Sequence, residues 1–235
     1  MALQVWINRD NNITSTNNIF SNKGGRHVWY WDDAWYTKSQ IEYLLSLSNP
    51  NILTLLNNKL IPPSLYSKHY NTSGCNISHI YQYNLIINKY KKAYELGDIM
   101  EIGAGYGNLC RCFFHSKFSN DYYLIDLPNQ TQIQKCYLKK CNIDSKKLHF
   151  NKYNYDVDCF IAGWSLSEMP IDMRINILNN INANFIFIGF QHKFRGINNL
   201  HYFKKYTDNN NNYEWELQNW FGENNSVLIG IKKNN

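Results

Sequence analysis

Long hydrophobic runs are missing from this chain, so the pattern a membrane-spanning helix requires is not present and membrane insertion is not expected. The opening residues also lack the basic-then-apolar order of a secretion signal. Proline (5) and glycine (12) are too sparse for a fibrous or linker-dominated chain. The 6 cysteines, Cys75, Cys110, Cys112, Cys136, Cys141 and Cys159, include no Cys-x-x-Cys pair, which removes the usual zinc-ribbon and redox signatures. Several sit inside apolar runs, where a reduced thiol packs as a small hydrophobe, and a reducing, cytoplasmic compartment is the expectation. Acidic residues are in mild deficit, 18 against 24 Lys and Arg, for a net charge of +6. The cations are dispersed as pairs such as Lys139-Lys140 and Lys204-Lys205 rather than gathered in a basic arm. The charge permits an acidic partner, yet a nucleic-acid partner is not expected from it.

What the chain does contain is a hydrophobic fraction of 44% and an aromatic fraction of 16%, which exclude a disordered protein. Its 235 residues suffice for one α/β domain with an appendage. Asparagine is used heavily throughout, as AT-rich codon usage would produce, and the tract Asn209–Asn212 reads as a solvated loop. Residues 1–96 are expected to form a mainly helical N-terminal cap. Apolar residues at helical spacing follow Ser39, then Leu53 to Leu60, then Ser78 to Glu95. Upstream lies the aromatic cluster of Trp29, Trp31 and Trp35, suited either to packing the cap or to stacking on sugar rings.

Residues 97–235 read differently. Short apolar strands at Asp98–Ile102, Tyr122–Leu127, Leu148–Asn151, Val157–Trp164 and Phe185–Phe190 alternate with helices at Asn108–His115, Gln130–Cys141 and Asp172–Ile181. That alternation implies right-handed crossovers and a mostly parallel sheet, with Tyr213–Gln218 and Val227–Lys232 closing it as a hairpin. Ligands of such sheets bind beyond the carboxyl ends of the strands.

The first strand runs into Glu101-Ile102-Gly103-Ala104-Gly105-Tyr106-Gly107. Glycines there let the backbone turn tightly and approach a ligand closely, ahead of the unpaired amides that open a helix. A dinucleotide fold wants G-x-G-x-x-G, but here the spacing is G-x-G-x-G and position 108 is Asn. An acid, Glu101, stands on the strand itself and suits a cation. About 20 residues past the loop Asp126 ends the second strand, where a carboxylate can accept both hydroxyls of a ribose, with Leu127 beside it for an adenine face. A glycine-rich turn followed by an Asp that opens a turn before Pro128 is the structural alternative.

The loop resembles motif I of class I S-adenosylmethionine-dependent methyltransferases, whose acid helps hold the cofactor's methionyl amine. Tyr122-Tyr123-Leu124-Ile125-Asp126-Leu127-Pro128 and Trp164-Ser165-Leu166-Ser167-Glu168-Met169-Pro170 extend the likeness. Together they resemble the sugar O-methyltransferase family over roughly residues 75 to 190. The resemblance implies a Rossmann-like class I methyltransferase fold with a central, mostly parallel seven-stranded sheet in the order 3-2-1-4-5-7-6. It implies S-adenosyl-L-methionine as cofactor, S-adenosyl-L-homocysteine as product and a glycan or nucleotide-sugar hydroxyl as acceptor. The expected cofactor residues are Glu101, Gly103, Ala104, Gly105, Tyr106, Gly107, Asp126, Leu127, Trp164 and Ser165.

Methyl transfer to an alcohol needs an aligned acceptor oxygen and a group that removes its proton. His192, just past the fifth strand, and Glu168 are the candidates. A surface-loop histidine and a helix-opening acid favoured by the helix dipole are their plain alternatives. His79, Tyr83 and Ser167 are the candidate acceptor-binding residues. No His, Cys and Asp set has metal-ligand spacing, so no metal site is expected from the residues and a divalent-metal requirement stays open. Two other readings remain: an RNA or other nucleic-acid 2′-O-methyltransferase, or a binding module that has lost methyl transfer. Oligomeric state is open, a homodimer included.

Overall fold

The computed structural model describes residues 35–58, 60, 72–220 and 224–233. Trp29 and Trp31, and the side chain of Trp35, lie outside this set, as does the expectation placed on them. The chain enters through α1 (Trp35–Ser46), α2 (Pro50–Leu56) and α3 (Gly74–Lys89). Asn49 caps α2 by accepting from the Asn51 amide at 3.0 Å, and Pro50 opens the helix, where a missing N–H costs nothing. Ser73 caps α3 by accepting from the Asn76 amide at 3.2 Å. That cap moves the third helix four residues ahead of the expected start at Ser78, and the helix ends at Lys89 with a single 3-10 turn, Ala93–Glu95, beyond it.

The core alternates as expected: β1 (Ile99–Ile102), α4 (Asn108–His115), β2 (Tyr122–Ile125), α5 (Pro128–Lys140), β3 (Leu148–Phe150) and β4 (Asp156–Gly163). Next come α6 (Ser165–Glu168), α7 (Ile171–Asn180) and β5 (Asn182–Gln191). A two-stranded ribbon, β6 (Lys193–Phe194) and β7 (Ile197–Asn198), leads into α8 (Asn199–Asp208), and β8 (Tyr213–Asn219) and β9 (Asn225–Lys232) finish the sheet. The sequence pattern missed the ribbon and α8. The order of the seven-stranded sheet is β3-β2-β1-β4-β5-β9-β8. With the ribbon left out of the numbering this is 3-2-1-4-5-7-6, as expected. The first five strands run parallel and β9 inserts antiparallel between β5 and β8.

Alternation along the buried strands sends side chains to two cores. Ile99, Tyr122, Leu124, Ile161 and Phe187 face one layer, covered by α1 to α5. Met100, Ile125, Phe160, Ile186 and Phe190 face the other, covered by α7 and α8. The N-terminal helices therefore share a continuous core with the sheet rather than sitting apart from it. Among the described residues no helix is long and apolar enough to cross a membrane.

A buried polar network fastens those helices to the sheet. Asn108, the first residue of α4, accepts at Oδ1 from Arg111 Nε (2.8 Å) and Tyr137 OH (2.8 Å). Its amide donates to Asn76 Oδ1 of α3 at 2.9 Å. Arg111, buried, also donates to Asn76 Oδ1 and to the Leu55 carbonyl at the end of α2, both at 3.0 Å. A guanidinium here rests on amide and carbonyl oxygens, the negative end of α2 included. Position 108, where a dinucleotide loop would place glycine, is thus the hub joining cap and core. Asn108→Ala strands two buried donors, each costing about 1–3 kcal/mol, so urea unfolding should show a loss of about 3 kcal/mol. A loss below about 1 kcal/mol, the range of an ordinary surface change, would refute the hub role.

Candidate functional site

The glycine loop occupies the carboxyl end of β1, at the centre of the sheet. Gly103, Gly105 and Gly107 have φ of +72°, +56° and +86°, the left-handed region that a side chain strains to enter. The turn is pinned from three sides. Gly103 N donates to the Ile125 carbonyl at 2.8 Å, Gly107 N to the Ala104 carbonyl at 2.8 Å, and Gly105 N to Asp126 Oδ2 at 3.0 Å. Ser165, past the end of β4, donates its hydroxyl to the Ile102 carbonyl, and a Cβ at Gly103 would lie 2.1 Å from that of Ser165. At Gly105, by contrast, a Cβ would meet nothing within 4 Å. The loop is closed against the protein at Gly103 and open outward at Gly105.

Glu101 sits on the helix-covered face of β1, nearly inaccessible to solvent at 4% exposure. Tyr122 OH donates to its Oε2 at 2.7 Å. Burial pushes the carboxyl up to about 7, the Tyr122 hydrogen bond opposes this, and the Asp126 charge adds to it. No Lys, Arg or His forms an ion pair with it among the described residues. This is an acid held ready at the base of the loop.

Asp126 follows β2 and is fixed in the loop. Its Oδ2 accepts from Gly105 N and from Gln134 Nε2, each at 3.0 Å, and its Oδ1 from the Leu127 amide at 2.8 Å. Gln134 Nε2 also donates to the Gly105 carbonyl at 3.0 Å, so one side chain of α5 clamps both loop and acid. The expectation did not include Gln134, because nothing local distinguishes it from its polar helix neighbours. Leu127 lies beside Asp126 at the same edge and caps α5. Ala104 and Tyr106 are buried. The Tyr106 ring turns inward against Tyr137 (4.9 Å between centroids) and His79 (5.6 Å), so only its backbone faces the loop's outer side.

The same edge at β4 and β5 has a different character. Gly163 and Gly189 are register partners, and each makes room for a larger group. A Cβ at Gly163 would lie 2.9 Å from Gln82 Oε1, and one at Gly189 2.0 Å from the Trp220 ring. Trp164 follows with φ +72°, a strained value for a tryptophan, and stacks on Trp220 at 5.4 Å and 29°. Ser167, a candidate acceptor-binding residue, is buried and donates to the Trp164 carbonyl at 2.6 Å, holding the turn instead of facing outward. Glu168 accepts from Gln191 Nε2 at 3.1 Å, and His192 Nε2 lies 2.9 Å from Ser226 Oγ. Arg174, buried, joins these segments by donating to the Met169 and Ser167 carbonyls and to Asn199 Oδ1. Asn199 in turn donates to the Gln191 carbonyl at 2.9 Å.

His79 and Tyr83 share a face of α3 but not a role. His79 lies beside the loop, with Nδ1 3.3 Å from Asn108 Nδ2 and 3.8 Å from Cys75 Sγ. Burial and the Arg111 charge push its imidazole down to about 4, so it stays neutral at physiological pH. Tyr83 is buried edge-on against Phe113 at 5.2 Å, a packing position between α3 and α4. Among the described residues no group of His, Cys, Asp and Glu is placed to hold a metal ion.

Two predictions follow from this geometry. Unfolded, Glu101 ionises near its ordinary 4.5, and folded near 7, so the folded chain binds the proton more tightly. The stability it contributes is complete below about pH 4.5 and lost as pH rises to about 7, on the order of 3 kcal/mol. Glu101→Gln should therefore gain on the wild type by that amount between pH 5 and pH 8 in urea titrations; a flat difference contradicts it. Ala at Gly105 should cost about 1 kcal/mol for its backbone alone, and Ala at Gly103 about 3 or more because Ser165 must also move. Equal losses at both positions would refute the Ser165 latch.

No protein-family model and no curated protein matches the chain by sequence. Solved structures do. The Pnkp1/Rnl/Hen1 RNA repair complex is 14% identical with a TM-score of 0.50, over 64% of this chain and 41% of that one. The chain thus spans well under half the length of that protein. The methyltransferase domain of bacterial CtHen1-C is 9% identical with a TM-score of 0.52, over 65% of this chain and 97% of the domain. The small RNA methyltransferase HEN1 is 10% identical with a TM-score of 0.51, over 67% of this chain and 25% of that one. At these identities the likeness is one of fold, and that fold is the Rossmann-like, seven-stranded fold of class I methyltransferases.

Proposed function

We propose that the chain is an S-adenosylmethionine-dependent methyltransferase acting on a hydroxyl acceptor. The observation that carries this is the outward-open left-handed loop at the carboxyl end of β1, with a buried acid at its base and a second acid clamped to its middle. The donor set fits the cofactor. Glu101 offers a carboxylate with no ion-pair partner among the described residues, suited to the methionyl ammonium, and its displaced proton leaves to solvent. Asp126, held by Gly105 and Gln134, is preorganised for a ribose diol, and Leu127 for the adenine face. When bound, the cofactor supplies a methyl group already activated by a sulfonium.

The protein's remaining task is to orient the acceptor, exclude water and remove one proton. His192 and Glu168, at the ends of β5 and α6, are the proposed carriers of that step. The Ser226 contact of His192 orients its ring, and the Gln191 amide orients Glu168. Arg174 and Asn199 position both segments. The finer acceptor reading, a sugar hydroxyl, rests on the likeness of Trp164–Pro170 to sugar O-methyltransferases. A second reading, an RNA hydroxyl, is favoured by the structural likeness to RNA methyltransferases of the Hen1 type. The likeness withdraws support from the expectation that nucleic acid is not a partner.

Isothermal calorimetry with S-adenosylhomocysteine should show one saturable site in the wild type. Asp126→Ala and Gly105→Ala should each weaken it at least tenfold, while Lys139→Gln leaves it unchanged. Labelled methyl transfer, with and without chelator, to nucleotide sugars, glycans and a short RNA then separates the acceptors. Absence of saturable cofactor binding would remove the proposal.

A further inference from the structure

The ribbon after β5 stands apart from every residue used so far. Lys193 pairs with Asn198 and Phe194 with Ile197 across a two-residue turn of Arg195 and Gly196. Both turn residues have positive φ, +47° and +84°, the type I′ geometry that fits a tight hairpin. Asn, Asp or Gly is the residue that enters the first of these positions readily, and an arginine there is strained by about 1 kcal/mol. A side chain kept at a strained position is a pointer to a role outside folding.

Charge supports the same conclusion. From Met173 to Thr207 the sequence holds no acidic residue, while Arg174, Lys193, Arg195, Lys204 and Lys205 fall within it. Arg174 is buried and spoken for by carbonyls and Asn199. Lys193 and Arg195 are exposed, and among the described residues neither forms an ion pair or a hydrogen bond to a side chain. The Arg195 guanidinium lies over the Phe194 ring, 5.3 Å from its centroid, a cation–π contact that leaves its N–H donors free of a carboxylate among the described residues. The ribbon leaves the sheet immediately after His192, and the His192 carbonyl ties back to the amide of Asn199 at 2.8 Å. Two exposed cations, without an ion pair among the described residues, thus follow the proposed base by one and three positions.

We propose that Lys193 and Arg195 form a phosphate-binding site, so that the acceptor is a phosphorylated one. Its placement at the acceptor rim rests on the methyltransferase reading; anion binding at the ribbon does not. A guanidinium fork suits a phosphate's paired oxygens, and a lysine two residues away on the same ribbon adds a second positive charge. A nucleotide-linked sugar and an RNA strand both present this chemistry, and the test separates them.

The test titrates inorganic pyrophosphate, UDP-glucose and a ten-nucleotide single-stranded RNA into the full chain, with and without S-adenosylhomocysteine. The comparison is the double variant Lys193→Gln, Arg195→Asn. Asn suits the turn better than Arg, so this variant should unfold no earlier than the wild type. The expected result is saturable binding of pyrophosphate that weakens at least tenfold in the variant. A matching loss for UDP-glucose identifies a nucleotide-linked acceptor, and one for RNA a polynucleotide. Lys139→Gln, Lys140→Gln removes equal charge elsewhere and should change nothing. Equal binding by wild type and ribbon variant, or no saturable binding of any probe, overturns the site. Failure of S-adenosylhomocysteine alone to bind overturns the cofactor reading and leaves the pyrophosphate result to be read independently.

Discussion

Three left-handed residues within five positions is a demand that only glycine meets without strain, and the carboxyl edge of this sheet is built around it. Gly103 must lack a side chain because Ser165 fills the space, and in filling it Ser165 bonds the Ile102 carbonyl at the end of β1. The turn after β4 is thereby latched to the turn after β1. Asp126 reaches in from β2 to the Gly105 amide, and Gln134 from α5 closes the clamp. Three neighbouring strand ends are held in one arrangement by backbone groups that would otherwise need solvent. What remains uncovered is the outer side of Gly105, with a buried acid at the base of the loop.

The cost of that acid is met by placement. A carboxyl with one tyrosine partner in a hydrophobic layer is easier to keep protonated than charged, which is why it ionises near 7. On the proposed function, a bound ammonium would reverse that preference, and cofactor affinity would then be linked to the state of this proton. Behind the loop, the Asn108–Arg111–Asn76 network ties the same turn to α2 and α3, and the shared core gives the N-terminal helices no independent surface to separate along. Half-satisfied polar groups there would be expensive, and these bonds favour one docking of cap on core.

The parts legible in the sequence were those with strong local signals. β1, the glycine loop and α4 stand where Ile99 to His115 indicated, and the sheet order follows the family resemblance. Asp126 sits at the strand end its spacing implied. Side-chain direction was not legible: Tyr106 points inward because Tyr137 and His79 offer it an aromatic wall from distant segments. The contacts of Tyr83 with Phe113 and of Ser167 with the Trp164 carbonyl were not legible for the same reason, being set by tertiary contact and backbone turn. The ribbon and α8 were missed because strands of two residues carry no alternation and Asn199–Asp208 is capped by an asparagine among asparagines. Gln134, Asn108 and Arg174 have no motif at all; only the fold reveals what each one joins.

On the proposed function, Glu101 exchanges a proton for a ligand's ammonium group. Calorimetric titration of S-adenosylhomocysteine at pH 6, repeated in buffers of different ionisation enthalpy, counts the protons released on binding. Release of about one proton is expected in the wild type and about none in Glu101→Gln. Binding with no proton released by the wild type, or the same release from both, would contradict it.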